Sequence, residues 1–341
     1  MKTLKKLIAL VLCTVMMIIC IACNSDVSEP EGTSSEQPSE APTQIPTETP
    51  TEKPTEKATK KPKEEGTEPP QKLEDTEGLD LSIKVMSQNL RCFDDPEGTV
   101  DQRKTRFEAM VKEYSPDIIG LQEIRHSCYM YIRLMGAYGI VGISRNGEGV
   151  TSGEWCAIMY RKERFVLMDS GTFWLTSTPD EVSMTEGANC RRICTWAELF
   201  DKYTGETVVM TNTHLDHANN AVRVEQTEYL ISHLKTYLGA RYDDCTLFLT
   251  GDFNCTNSSD PYALLVENGF VDSHTIAVED KATVEGSYHA FENKDREIDF
   301  CFIKGEKKVL SYDIITKLYP AKGETEPGFI SDHYAVLAVI E

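Results

Sequence analysis

Two polar side chains follow a short apolar segment near the middle of the chain. Residues 246–251, Thr-Leu-Phe-Leu-Thr-Gly, have the composition of a buried strand, and Asp252 and Asn254 come directly after it. In an extended chain, two residues that flank a third project to the same side. A carboxylate and an amide aimed at one point can hold a water molecule or an oxyanion. A turn closed by the aspartate side chain explains the same residues, so the segment alone leaves both interpretations open.

Five other predicted strand ends carry polar side chains of the same kinds. Each has an ordinary explanation when taken alone, such as a turn cap, a surface ion pair or a satisfied buried histidine. Ligands of α/β domains bind at strand ends, so six such ends in one chain indicate a shared site. The residues at the six ends are Asn89, Glu123, His214 with Asp216, Asp252 with Asn254, Asp299, and Asp332 with His333.

This set of residue types favours one class of chemistry. Carboxylates and amides with two histidines and no thiolate cluster suit Mg²⁺, or alternatively Mn²⁺, better than a structural zinc ion. A divalent cation, a carboxylate that orients water and a histidine that meets developing charge are the components of phosphoester hydrolysis. The sequence has no Gly-x-Ser-x-Gly, His-Glu-x-x-His or P-loop motif, which argues against serine hydrolase, zinc protease and nucleotide-loop chemistry.

The elements that must position these residues alternate between strands and helices from about residue 80 onward. Strands are predicted over 83–89 and 117–123, each ending at a candidate site residue. Apolar residues at helical spacing predict helices over 107–114 and about 218–239, with a shorter helix near 260–268. Other strands are predicted near 155–160, 164–174, 193–200, 206–213, 297–303 and 334–340. Because strands outnumber helices and neighbours can pair as hairpins, we expect a mixed α/β sandwich of two sheets.

The motifs around these residues resemble those of the endonuclease/exonuclease/phosphatase family. Ser-Gln-Asn-Leu, Leu-Gln-Glu-Ile, Thr-His-Leu-Asp-His, Gly-Asp-Phe-Asn, Ile-Asp-Phe and Ser-Asp-His occur in the order of that family over about residues 82–341. The resemblance implies a DNase I-like fold, which is a four-layer α/β sandwich with two central mixed β-sheets. It also implies an Mg²⁺-dependent phosphoesterase site.

The resemblance assigns roles to the residues around the metal and the attacking water. Glu123 would be the principal metal ligand with Asn89 beside it, and Asp332 would reach the metal. Asp252 would orient or deprotonate the water, while Asn254 would bind the phosphate.

Roles for the histidines are implied in the same way. His333 would contact the scissile phosphate or act as a base, and Asp299 would hold its ring through the second nitrogen. His214 would stabilise the transition state or assist the leaving group. For Asp216 the resemblance gives no firm role, and for His217 it favours a structural one.

Arginines near these motifs are candidates for binding the substrate. Arg191 or Arg192 can grip a phosphate with two hydrogen bonds, although a surface salt bridge explains them as well. Arg223 is a similar candidate. The chain departs from some nucleases of the family at Arg91, where those enzymes have an acidic neighbour of the metal.

The N-terminal 23 residues have the layout of a signal peptide. Three lysines precede an apolar run over 7–22, which is short for a membrane-spanning helix. The run ends in Cys20-Ile-Ala-Cys23 and resembles the lipobox of bacterial lipoproteins, in which Cys23 would be lipidated. Because that family prefers leucine at the position of Cys20, a cleaved signal or an uncleaved anchor remains an alternative. We therefore expect a lipid anchor in the membrane and display at the outer face of the bacterial cell membrane, or otherwise secretion.

Residues 24–78 are rich in Thr, Pro, Glu, Ser and Lys, with a loose Pro-Thr-Glu repeat. Such a segment buries too little apolar surface to offset the entropy of ordering it, so we expect a disordered, extended stalk. The remaining residues, 79–341, form the predicted catalytic domain.

Charge restricts the substrate. The chain has a formal net charge of −20, and residues 1–75 hold 9 of its basic and 13 of its acidic residues, which leaves −16 on the rest. A protein that coats nucleic acid is normally basic. We therefore expect a metal-dependent phosphodiesterase or phosphatase that acts on an unidentified phosphoester. The sequence indicates no protein partner, and we expect a monomer. The alternatives are an extracellular nuclease acting on DNA or RNA, and a non-catalytic binding lipoprotein.

Overall fold

Two mixed β-sheets lie face to face in the computed structural model, which describes residues 69–91, 93–292 and 294–341. Within those residues the spatial strand order is β10-β12-β15-β1-β2-β4-β3 in the first sheet and β5-β6-β7-β8-β11-β9 in the second, with β13 and β14 paired separately. The strands are β1 (Ile83–Asn89), β2 (Ile118–Ile124), β3 (Tyr138–Val141), β4 (Trp155–Arg161), β5 (Phe165–Trp174), β6 (Ile193–Asp201), β7 (Thr207–His214), β8 (Thr246–Asp252), β9 (Val271–Asp272), β10 (Glu279–Asp280), β11 (Asp299–Lys304), β12 (Val309–Ile315), β13 (Tyr319–Pro320), β14 (Pro327–Gly328) and β15 (Ala335–Ile340).

Each sheet contains one central parallel pair flanked by antiparallel neighbours. In the first sheet β1 runs parallel to β2 and antiparallel to β15. In the second sheet β7 runs parallel to β8, and β8 runs antiparallel to β11. The predicted mixed sandwich is therefore confirmed.

The four longer helices cover the outer faces of the two sheets, and the short fifth helix contacts strands of both sheets. They are α1 (Val100–Tyr114), α2 (His126–Arg133), α3 (Asn220–Leu238), α4 (Asp260–Glu267) and α5 (Ser273–Ile276), with a 3₁₀ turn at Gly239–Tyr242. A capping box between Thr99 and Gln102 begins α1. The same helix ends at Ser115, which adopts the left-handed conformation (φ 49°) immediately before Pro116.

Three apolar cores separate four layers. Val85, Ile158 and Phe248 belong to the core between the sheets. Phe107 of α1 belongs to the core on the outer face of the first sheet, and Leu234 of α3 belongs to the corresponding core on the second. The four-layer architecture implied by the resemblance is confirmed.

A buried polar cluster also joins the two sheets. The Gln122 amide donates to Asn212 Oδ1 (2.7 Å), and Thr250 Oγ1 donates to the same oxygen (3.1 Å). Gly120 faces this cluster, where a Cβ atom would lie 1.9 Å from Thr250 Oγ1. Only a residue without a side chain fits there, so β2 and β8 approach closely beneath the strand ends.

The predicted signal peptide, the lipidated Cys23 and residues 24–68 of the predicted stalk lie outside the described residues. Residues 69–78 contain no helix or strand, and the Leu73 N–H donates to the Lys202 carbonyl (2.8 Å). Among the helices of the described part, none combines the length and the apolar composition that crossing a membrane requires.

Candidate active site

The strand ends predicted to carry the site converge at one edge of the sandwich. Asn89 ends β1, and Glu123 lies one residue before the end of the parallel neighbour β2. His214 ends β7 and pairs in register with Asp252 at the end of β8. Asp252 in turn pairs in register with Asp299 at the start of the antiparallel strand β11. Each sheet therefore contributes one half of the cluster.

Glu123 occupies a distorted position in its strand. The register of β2 against β4 shifts between Leu121 and Ile124, and Glu123 has φ 52°. Residues other than glycine rarely adopt this left-handed conformation, which costs about 1–3 kcal/mol and persists where the surroundings enforce it. The bulge turns the carboxylate toward the second sheet, where burial raises its pKa.

Asn89 links the two halves of the site. Its Nδ2 donates both to Glu123 Oε1 (3.0 Å) and to Asp252 Oδ2 (3.0 Å). Its Oδ1 accepts from the Arg91 N–H (3.0 Å). A single buried amide thus fixes the spacing between carboxylates that belong to different sheets.

Asp252 and Asn254 combine the two interpretations that the sequence left open. The Asn254 N–H donates to Asp252 Oδ1 (2.9 Å), which is an Asx turn, and Asn254 has φ 51°. Of the two alternatives for the backbone, the turn is the one that forms. The turn nevertheless delivers the Asn254 amide to His214 Nε2 (3.0 Å). Burial, reinforced by the neighbouring Asp299 carboxylate, raises the pKa of Asp252 to about 7.

The surroundings of the two histidines of the site shift their pKa values in opposite directions. Burial lowers the pKa of His333, but the Asp299 carboxylate, 2.7 Å from Nδ1, outweighs burial and raises it to about 10. For His214, burial holds the pKa well below its usual value, and nearby Arg192 lowers it further. At neutral pH the site therefore presents one cationic and one neutral imidazole. Its cationic member, His333, lies with Nε2 3.8 Å from Asp252 Oδ2.

Asp299 is held by a residue that the sequence did not identify as part of the site. Ser287 Oγ donates to Asp299 Oδ2 (2.6 Å), the same oxygen that meets His333. Ser287 lies in an irregular loop twelve residues before Asp299, and the neighbouring Tyr288 forms a bridge with His333. The only sequence signal was the position of Ser-Tyr-His ahead of the Ile-Asp-Phe strand.

A divalent cation fits the donor set on one side of this cluster. Carboxylate and imidazole atoms of Glu123, His214 and Asp252 lie within 4.8 Å of one another. Among the described residues, Glu123 has no Lys, Arg or His nitrogen within 4 Å, although it is partly buried. Buried carboxylates without a cationic partner are costly, and hard oxygen donors suit Mg²⁺ or Mn²⁺. The atoms of a second group, Asp252, Asp299 and His333, lie equally close together. In that group the Asp299 carboxylate is already paired with the His333 ring through their hydrogen bond.

Asp332 lines the same site but is held by other contacts. Its Oδ2 pairs with Arg91 Nη1 (2.6 Å), and its Oδ1 accepts from Ser331 Oγ (3.1 Å). Both oxygens are thus engaged, and Asp332 is not among the residues grouped around Glu123.

One of the three candidate arginines reaches the cavity. Arg192 is only 5% exposed and lines a cavity of about 450 Å³ together with Asp252 and His333. Among the described residues it has no carboxylate oxygen within 4 Å, and its Nη2 lies 3.3 Å from His217 Nδ1. The structure does not bring Arg191 or Arg223 to this cavity.

Arg191 and Arg223 make local contacts instead. Arg191 reaches Asn146 Oδ1 (3.3 Å), and Arg223 donates to the Asp216 carbonyl (2.9 Å). The Asp216 carboxylate accepts backbone N–H groups, including that of Asn189 (2.9 Å), so it shapes the loop after β7.

Arg145 and Glu154 also line the cavity, although no sequence pattern marks them as candidates. They form a two-point ion pair, with distances of 2.9 and 3.2 Å. Both lie in loops without a periodic pattern, so only the three-dimensional structure identifies them.

Comparisons with known proteins agree with this geometry. The model of the Endonuclease/Exonuclease/phosphatase family matches residues 86–333. An endonuclease/exonuclease/phosphatase from Bacteroides vulgatus is 31% identical with a TM-score of 0.68, over 77% of this chain and 99% of that chain. A mannosyl-6-phosphatase from Bacteroides thetaiotaomicron is 28% identical with a TM-score of 0.70, over 76% of this chain and 100% of that one.

More distant structures share the fold alone. The human Nocturnin catalytic domain is 18% identical with a TM-score of 0.60, over 76% of this chain and 93% of that chain. No curated protein sequence matches the chain significantly. The family match spans most of the chain and includes both halves of the site, so the chain belongs to the endonuclease/exonuclease/phosphatase family.

Proposed function

We propose that the protein is a divalent-metal-dependent phosphoester hydrolase. The observation that carries this proposal is the pairing of opposite charges across one cavity. Among the described residues no arginine or lysine pairs with the carboxylates of Glu123 and Asp252, and the cationic His333 lies beside Asp252. A phosphoester needs both a cation held by carboxylates and a positive group for its developing charge.

The carboxylate half of the site prepares the metal and the water. Glu123, Asp252 and His214 would hold Mg²⁺ or Mn²⁺, with Asn89 setting the spacing of the carboxylates. The bound ion would polarise a phosphoryl oxygen. The Asp252 carboxylate would orient the attacking water or accept its proton.

The basic half of the site meets the phosphate. His333, kept protonated by Asp299, would donate to a phosphoryl oxygen in the transition state. The amide of Asn254 and the guanidinium of Arg192 would bind the remaining oxygens. A buried guanidinium without a carboxylate partner is suited to an anionic ligand.

A small phosphate ester suits the surroundings of the cavity better than a nucleic acid. A groove that shares Arg296 with the cavity is lined by the acidic residues Asp280, Glu285, Asp295 and Glu297. A polynucleotide extending across this groove would place its phosphates against four carboxylates. The relative from Bacteroides thetaiotaomicron is a mannosyl-6-phosphatase, which also supports a small, hydrophilic substrate.

The proposal includes display at the outer face of the bacterial membrane. A lipid on Cys23 would anchor the chain, and residues 24–78 would carry the domain away from the surface. Metabolic labelling with a fatty acid tests the anchor. Labelling of the natural protein that disappears in Cys23→Ala supports it, and labelling that persists in the variant contradicts it.

Hydrolysis assays test the proposed chemistry directly. With Mg²⁺ or Mn²⁺ the protein should hydrolyse p-nitrophenyl phosphate or bis-p-nitrophenyl phosphate, and EDTA should abolish the reaction. Asp252→Asn and His333→Ala should each lower kcat by at least about 100-fold. Asp101→Asn, an exposed aspartate in α1, is the matched control and should retain the rate. Full activity in both site variants would refute the assignment.

A further inference from the structure

The guanidinium of Arg91 is held rigidly on one wall of the cavity. Its Nε pairs with Asp95 Oδ2 (2.7 Å) and its Nη1 pairs with Asp332 Oδ2 (2.6 Å). The ring of Phe93 lies 4.4 Å from the guanidinium carbon, within the range of a cation–π contact. Two carboxylates and an aromatic face therefore fix both the position and the plane of this group.

The carboxylate that anchors Arg91 is itself anchored. Asp95 Oδ1 pairs with Arg103 Nη2 (2.5 Å), and Arg103 is 1% exposed in α1. The guanidinium of Arg103 also lies 5.1 Å from the Phe291 ring. A chain of ion pairs thus runs from the buried helix through Asp95 to Arg91 and ends at Asp332.

One nitrogen of Arg91 remains for a ligand. Within the described part of the chain, Nη2 has no protein acceptor at hydrogen-bond distance, whereas Nε and Nη1 are both used. Arg91 lines the same cavity as Asp252, His333 and Arg192. Arg91 and Arg192 therefore differ in how they are held: Arg91 is fixed by its ion pair with Asp332, whereas Arg192 lies against His217.

We propose that Arg91 is a specificity residue that selects phosphate monoesters over phosphate diesters. The inference rests on the proposed phosphoesterase function and narrows its substrate class. A monoester has three terminal oxygens and two negative charges near neutral pH, whereas a diester has two terminal oxygens and one charge. The third terminal oxygen of a monoester accepts a charge-assisted hydrogen bond from Nη2. In a diester an alkoxy group occupies that position. The guanidinium is held by its two ion pairs and cannot move to make room for this group.

A monoester and a diester that release the same leaving group test this selection. We compare kcat/KM for p-nitrophenyl phosphate and bis-p-nitrophenyl phosphate, using the full-length protein with Mn²⁺. The natural protein should favour the monoester, and Arg91→Gln should lower its monoester kcat/KM by about 10- to 100-fold, because a hydrogen bond between charged groups is lost. The monoester-to-diester ratio should fall at least about tenfold. Arg241→Gln, an exposed arginine paired with Glu198 away from the cavity, is the matched control.

Binding of inorganic phosphate tests the same contact without turnover. At pH 8 phosphate is a dianion, and dimethyl phosphate is a monoanion with the geometry of a diester. By calorimetry Arg91→Gln should weaken phosphate binding at least about tenfold and dimethyl phosphate binding much less. Arg91→Lys retains the charge but not the two-point pairing, so its phosphate affinity should fall between those of the natural protein and Arg91→Gln. This variant also covers the case in which Arg91→Gln does not fold.

The outcomes separate this inference from the proposed function. Equal losses for monoester and diester, or a phosphate affinity unchanged in both Arg91 variants, would overturn the role of Arg91 and leave the phosphoesterase function in place. A natural protein that prefers the diester would do the same. If neither ester is hydrolysed with either metal, the proposed function fails, and the calorimetry still decides whether Arg91 distinguishes dianions from monoanions.

Discussion

The hydrogen bond between Asp299 and His333 gives the sharpest quantitative prediction. Asp299 Oδ2 lies 2.7 Å from His333 Nδ1, and both side chains are at most 5% exposed. With an effective dielectric constant of about 20, Coulomb's law gives an attraction of about 6 kcal/mol at this distance. That energy corresponds to roughly four pKa units, enough to outweigh the lowering by burial and raise the pKa of His333 to about 10.

Asp299→Asn removes the charge but keeps the size and a hydrogen-bond acceptor. In the metal-free variant we expect the pKa of His333 to fall from about 10 toward its usual value near 6.5, because only the carboxylates of Asp252 and Asp332 then oppose the effect of burial. Most of the imidazole would be neutral at pH 7, and kcat should fall by at least about tenfold. NMR titration of histidine-labelled protein in EDTA measures the pKa directly.

Stability supplies an independent readout with a defined sign. The raised pKa of His333 contributes stability that is fully present below about pH 6.5 and is lost as the pH rises through about 10. The difference in unfolding free energy between the natural protein and Asp299→Asn should therefore be largest near pH 6 and shrink toward pH 10.

A second histidine provides the control. His274 meets Glu297 at 2.6 Å, and this hydrogen bond raises its pKa to about 9. Asp299→Asn should leave that pKa unchanged, whereas Glu297→Gln should lower it without affecting His333. A His333 pKa that stays above about 8 in Asp299→Asn would refute the electrostatic reasoning.

Three further predictions concern other contacts of the site. Ser287→Ala should lower kcat by about tenfold because Asp299 loses a buried donor, and Ser287→Thr should restore most of the rate in the same steady-state assay; equal rates in all three proteins would contradict the contact. Because the pKa of Asp252 is raised to about 7, the unfolding free energy of the metal-free protein should fall as the pH rises from 4 to 7. In urea titrations Mn²⁺ should therefore stabilise the protein more at pH 8 than at pH 5. Greater stabilisation by Mn²⁺ at pH 5 would contradict this linkage. Asn254→Gly should preserve stability within about 1 kcal/mol by urea unfolding, since glycine adopts φ 51° freely, yet lose most activity because the amide is gone; retained activity would exclude a role for that amide.

The sequence predicted the site residues that end regular strands. Asn89, His214 and Asp252 each end a strand, and a buried apolar run that stops at a polar residue is recognisable in one dimension. Their convergence was also predictable, because neighbouring parallel strands end at the same edge.

The contacts that the sequence missed depend on loops. Ser287 and Arg145 lie outside regular elements, where no periodic pattern predicts which way a side chain points. The pairing of Arg91 with Asp332 joins residues 241 positions apart. Helix α2 also escaped prediction, since only Cys128 and Ile132 mark its buried face. In each case long-range packing decides the structure, and local sequence contains little record of it.

The close approach at Gly120 has a consequence for how the catalytic geometry can change. Glu123, which we propose as a metal ligand, and Asp252, which we propose to orient the water, belong to separate sheets, so the gap between the sheets sets the distance between them. Even one methyl group at Gly120 would act as a wedge against Thr250, beneath the site and without touching it. Gly120 therefore controls the geometry of the site without contacting it. A chimaera that takes one sheet from a relative would keep this geometry only if it also took that relative's residues at the contact between Gly120 and Thr250.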